Sequence, residues 1–217
     1  MQRAAEIAAI GSACRQTLDD KHQAREIVLS ASRRAIQSSA ASIRATHRGE
    51  FDLASDLATE ARAQIAHADA ALGPQPDLRG NGPVYDARKE VAEAWLTLAL
   101  VRGDTLPGPD ELGVDAAAYL NGMAEAASEL RRQVLDCLRG GDLERGETLM
   151  SAMDDVYSVL VTIDYPDVVT SGLRRTTDAL RAVLERTRGD LTTTIVASRL
   201  QAAIDAAAGH QDGRGPA

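Results

Sequence analysis

A chain of 217 residues can bury the core of one domain and is short for two. Its apolar share of 44% excludes disorder as the default. Aromatics at 3%, with Ala and Leu dominant, weigh against a β-sandwich and predict an all-α fold. The net charge of −8 speaks against a polyanion partner, but its distribution qualifies that. From Ile27 to Gly49 no Asp or Glu occurs, while Arg33, Arg34, Arg44 and Arg48 fall there. Cys14 and Cys137 have neither a C-x-x-C nor a zinc-ligand spacing, and read as two free thiols of a reducing cytosol. Glu6 and Arg15 interrupt any leader-like apolar run, and no stretch is long enough to span a bilayer. A cytoplasmic protein without membrane association is expected.

In chain order, a first helix ends near His47, stopped by Gly49, and a second runs from about Asp52 to Leu72. Gly73 to Pro83 reads as a loop. The third helix carries Val84, Ala87, Val91, Trp95 and Leu98 at helical spacing, with Leu96 and Leu100 on its other side. That pattern predicts contact on two faces, with Leu96, Leu100 and the fifth helix as candidate subunit contacts. The loop Gly103–Asp110 leads into a long fourth helix ending at Gly140-Gly141, with the stripe Leu120, Met123, Ala127, Leu130, Val134 and Leu138. Asp142 caps a fifth helix bearing Leu149, Met153, Val156, Tyr157 and Leu160. After the break at Tyr165-Pro166-Asp167, a sixth helix reaches about Arg188 and Gly189-Asp190 opens a seventh. The expected architecture is an antiparallel bundle of six or seven helices forming one domain over residues 1–208, with a disordered tail over 209–217.

Two helices carry paired carboxylates. Glu90 and Glu93 lie about 60° apart around the third helix, and Glu125 and Glu129 about 40° apart around the fourth. If those helices are neighbours, four acids converge, and their repulsion calls for a cation or for some groups to stay protonated. An oxygen-only set suits Mg²⁺ or Mn²⁺, which could activate a water against a phosphodiester. The alternative is an ordinary solvated face, because Glu125 and Glu129 align with Arg132 and Asp136 away from the apolar stripe. A di-iron bundle fits poorly, since no His follows a Glu at Glu-x-x-His spacing. An all-α nucleotide pyrophosphatase would share Glu90-x-x-Glu93 but needs a Glu-x-x-Asp on the next helix. Ser128 and Arg132 stand where that Asp would be.

The chain resembles the translin family, and within it archaeal relatives of translin-associated factor X (Trax). The resemblance runs from about Lys21 to Arg199. Its marks are Ala24-Arg25-Glu26-Ile27, the segment Ile43 to Gly49, Lys89-Glu90-Val91-Ala92-Glu93-Ala94, Tyr119 to Glu125 continuing into Ser128 to Arg132, and Gly140-Gly141-Asp142. It implies a seven-helix subunit assembling as a hollow homo-oligomer, typically an octamer, that binds single-stranded RNA or DNA. The Trax branch adds a Mg²⁺-dependent endoribonuclease. Its acidic positions fall on Glu90, Glu93, Glu125 and Glu129, with Glu93 and Glu129 taken as metal ligands. Trax usually has Asp where Glu125 stands, so the reach of that carboxylate changes by one methylene.

The family's basic first helix corresponds to Arg33, Arg34, Arg44 and Arg48, whose guanidinium forks suit phosphate oxygens. Arg132 is a further candidate for the nucleic acid. Arg131 could hold a phosphate or form an ion pair. Without aromatic runs to stack bases, backbone binding is expected over base reading. Three functions therefore compete: a Trax-type endoribonuclease, a translin-like binding module without chemistry, and a pyrophosphatase.

Overall fold

The computed structural model describes residues 2–73 and 82–212, with side chains through 208. Among these residues there are helices and no strands: α1 (Gln2–His47), α2 (Phe51–Leu72), α3 (Gly82–Arg102), α4 (Pro109–Leu112), α5 (Ala116–Gly140), α6 (Leu143–Leu160), α7 (Asp167–Thr170) and α8 (Leu173–Asp212). The all-α class is as the composition predicts. Six elements are long helices, and two are single turns at Pro-containing connections.

The stop signals act where the sequence places them. Gly49 takes φ +76, and the amides of Gly49 and Glu50 close on the carbonyls of Thr46 and Ala45, ending α1. Asp142 accepts from the Arg145 amide and starts α6. Two boundaries differ from the reading above. The long fourth helix does not begin near Asp110: Gly113 at φ +70 ends the short α4, and Asp115 caps α5 by accepting from the Ala118 amide. The predicted break at Gly189 does not occur. α8 runs through Arg188-Gly189-Asp190 as one helix, because buried Thr187 and Leu191 hold it against the core on both sides of the glycine. A glycine inside a helix costs only about 1 kcal/mol, which such packing outweighs. Most of the Gly73–Pro83 loop lies outside the described residues, and Gly82 and Pro83 already belong to α3. Of the expected tail, Gly209 to Asp212 continues α8, and the remainder lies outside the described residues.

Small residues set the packing. Val28, Leu72 and Val84 meet at one end of the α1–α2–α3 unit, and Ala45, Ala54 and Leu98 at the other. α2 is therefore antiparallel to its neighbours, and α1 and α3 run side by side in the same direction. α5 covers the opposite side of α3. Ala92 and Leu96 pack on Tyr119 and Ala126, and Val101 on Leu130, so α5 also runs parallel to α3. The connection carrying α4 makes this possible by returning along the bundle, pinned where the Tyr119 hydroxyl donates to the Pro107 carbonyl at 2.8 Å. α6 and α8 complete the core around Leu130, Val134, Met153 and Leu184. α3 is packed on both faces, as its pattern predicts. Leu96 is fully buried within the subunit and is no subunit contact; Leu100 also packs inward, because two faces of α3 are already taken.

Candidate metal centre and nucleic-acid face

The site is built at the crossing of α3 and α5, and one glycine permits it. A Cβ on Gly122 would lie 2.6 Å from the Lys89 carbonyl oxygen, 2.8 Å from the Ala92 Cβ and 2.9 Å from the Glu93 amide nitrogen. Only glycine lets the two backbones approach this closely. The preceding Asn121 locks the register: its amide donates to the Thr170 carbonyl at 2.9 Å, and its oxygen accepts from Thr176 at 2.6 Å, tying α5 to α7 and α8.

Around this crossing stand the acids. One carboxylate oxygen each from Glu90, Glu93 and Glu125 falls within 4.8 Å of the others. Glu93 is 9% exposed. Burial first, then the charges of Glu90, Glu125 and Glu129, push its carboxyl up to about 9, against a smaller downward pull from Lys89. Burial also raises Glu90, which Lys89 partly offsets. Glu129 stands apart from the three-oxygen group. It accepts from His47 Nε2 at 2.7 Å, on a side chain only 4% exposed, while the Gln133 amide lies 3.3 Å from His47 Nδ1. Because a carboxylate oxygen accepts, His47 Nε2 donates to Glu129 and fixes the direction of its carboxylate. Oxygen donors from two rigid helices, one of them buried among like charges, fit a small hard dication. Of the two residues assigned to a metal, Glu93 is central to the convergent group and Glu129 is at its His47 edge. Sequence reading did not single out His47, Gln133 or Lys89 for this site. They come from α1, α5 and α3, and packing brings His47 to Glu129 and Lys89 to Glu125.

The basic residues divide by face. Arg33, Arg34, Arg44 and Arg132 are exposed and have no side-chain partner among the described residues. Arg33 and Arg44 are three whole helical turns apart, so they share a face. Arg44 lies one turn before His47, which contacts Glu129. Arg34 is turned about 100° away from Arg33. Arg48 is engaged by Glu50 through 2.5 and 3.0 Å contacts. Arg131 is held on α8 by Thr187 and Asp190, and so forms an ion pair within the subunit.

No family model matches the sequence. An uncharacterised protein of Methanocaldococcus jannaschii is 32% identical over 181 residues, 82% of this chain and 79% of that one. Among solved structures, AfC3PO, from Archaeoglobus, superposes with a TM-score of 0.79 at 31% identity, over 86% of this chain and 97% of its own. A complex of AfC3PO with duplex RNA gives 0.80 at the same identity, over 86% and 96%. For apo-NeC3PO the TM-score is 0.73 at 21% identity, over 85% and 96%, a likeness that shows the fold alone. These matches define an all-α subunit of the C3PO class, the complex of translin and Trax. The chain belongs to the translin family. No helix among the described residues is long and apolar enough to cross a membrane.

Proposed function

We propose that this protein is a Trax-type, Mg²⁺- or Mn²⁺-dependent endoribonuclease that binds single-stranded RNA or DNA as a hollow homo-oligomer, an octamer. The observation that carries this reading is the convergence of Glu90, Glu93 and Glu125 at the Gly122 crossing. The complex of AfC3PO with duplex RNA supports a nucleic-acid partner. Glu90, Glu93 and Glu125 would hold the ion, with Glu129 at the His47 edge of the set. A bound Mg²⁺ or Mn²⁺ supplies a Lewis acid for the phosphodiester and a water of lowered pKa. The chain's own contribution is positional. Gly122 sets the spacing of the acids, His47 orients Glu129, and Arg33, Arg44 and Arg132 receive phosphates along the rim.

Assembly is supported by the helix ends. Residues 2–20 of α1 are exposed throughout, including Ile7 at 63% and Leu18 at 64%. So are Val196, Leu200 and Ile204 of α8. A helical arm with no packing of its own is marginal in water, and a second copy would give its apolar residues cover.

The test is cleavage of fluorescent single-stranded and duplex RNA with Mg²⁺ and with EDTA, on protein of measured oligomeric mass. Glu93→Gln and Glu129→Gln should each lower the rate by roughly a hundredfold or more. Unchanged cleavage in both variants would show the site is misassigned. The second reading, a binding module without chemistry, is favoured by the lengthened Glu125 and its ion pair to Lys89 at 2.6 Å. It predicts salt-sensitive binding and no turnover.

A further inference from the structure

We infer that Lys89 is the resident cation of the metal-free site, and that a divalent ion loads only by displacing its ammonium from Glu125. The inference rests on the metal reading above. Lys89 Nζ lies 2.8 and 2.6 Å from the two oxygens of Glu125 and 3.6 Å from Glu90. These are two of the three carboxylates whose oxygens converge. The side chain is 20% exposed, so its ammonium is partly withdrawn from water and held by the acids. The backbone beneath it is packed tightly on α5, because the Lys89 carbonyl is one of the groups that Gly122 lies against.

The physical consequence is a competition for one carboxylate. Acids this close repel one another, and a single positive charge among them relieves part of that repulsion. An ammonium and a dication on Glu125 together would repel each other strongly, since they would stand within a few ångströms of each other in a partly desolvated place. A lysine stem is long and flexible enough to swing its charge out to solvent when the ion enters. Glu129 is paired with His47, whereas Lys89 pairs with Glu90 and Glu125, so the Glu129 edge is not under Lys89's control. Lys89 thus sets the concentration of free divalent ion at which the site fills. With Lys89 in place, a stronger competitor than the ammonium is needed, and monovalent ions should not load the site.

Mn²⁺ binding by calorimetry on the full chain, together with melting curves in EDTA, tests this with Lys89→Met, Lys89→Gln and Lys89→Arg. Both neutral variants should bind Mn²⁺ about tenfold or more tightly than the unsubstituted protein. Lys89→Arg, which keeps the charge, should stay near the unsubstituted affinity. In EDTA the neutral variants should melt below the unsubstituted protein, and Mn²⁺ should close that gap. Equal or weaker Mn²⁺ binding by the neutral variants overturns the inference while leaving the metal reading intact, as does unchanged melting in EDTA. Absence of Mn²⁺ binding in every form overturns the metal reading, and this inference with it. Lys89→Gln keeps a polar side chain at the position should Lys89→Met fail to fold.

Discussion

Glu93 shows what burial does to a carboxyl among like charges. Its carboxyl titrates at about 9 in the fold, against an ordinary value of 4.5. Between those values the folded chain keeps a proton that the unfolded chain has lost. The metal-free protein therefore loses stability as pH rises through that window, and owes nothing to this group below it. Glu93→Gln should flatten the slope, leaving the part that Glu90, raised in the same direction, contributes. By calorimetry in EDTA its melting temperature should match the unsubstituted protein near pH 4 and exceed it by roughly 10 °C or more near pH 9. Parallel pH profiles for the two proteins would show that the carboxyl is not held protonated. His47 works at the same scale. Its ring is fixed by Gln133 on one side and donates to Glu129 on the other, so one imidazole couples the end of α1 to the acids of α5.

At the scale of elements, the α3–α5 contact decides whether a site exists. Gly122→Ala forces backbone and side-chain atoms apart from contacts under 3 Å. It should destabilise by about 1–3 kcal/mol in a denaturant titration and weaken Mn²⁺ binding by separating Glu90 and Glu93 from Glu125. Gly189 is the opposite case: nothing lies within 4 Å of a Cβ there, and α8 is continuous through it. Gly189→Ala should therefore stabilise by about 0.5–1 kcal/mol in the same titration. A destabilised Gly189→Ala would mean that α8 needs the glycine for a bend. The basic face of α1 is tested by salt dependence. Arg44→Ala should reduce the slope of log affinity for single-stranded RNA against log salt by about 0.7, the loss of one phosphate contact. Arg34→Ala, on another face of the helix, should change it less.

For the whole molecule, the parallel run of α1, α3 and α5 brings the acids of α3 and α5 together and His47 of α1 to Glu129. Exposed Ile7, Ile10, Leu18, Val196, Leu200 and Ile204 lie on the ends of α1 and α8 that extend past the core. Replacing Ile10 and Leu18 together by Asp should lower the oligomeric mass seen by light scattering while leaving the helical content of residues 24 onward in place. An unchanged mass would remove the α1 arm from the assembly interface.

The sequence alone determined the class of fold and most helix ends. Periodic Ala and Leu, Gly49 in a left-handed turn, the Asp142 cap and the prolines all act within a few residues, where chain chemistry decides locally. The same locality made the two acidic pairs visible, because i, i+3 and i, i+4 spacings depend only on helical geometry. Tertiary structure alone decided that the pairs meet. Their convergence depends on Gly122, whose role is invisible until α3 lies against it, and on Lys89 and His47, which reach Glu125 and Glu129 from other helices. It also decided that Gly189 would not break α8, because the energy that holds a helix through a weak residue comes from its buried neighbours rather than from the residue itself.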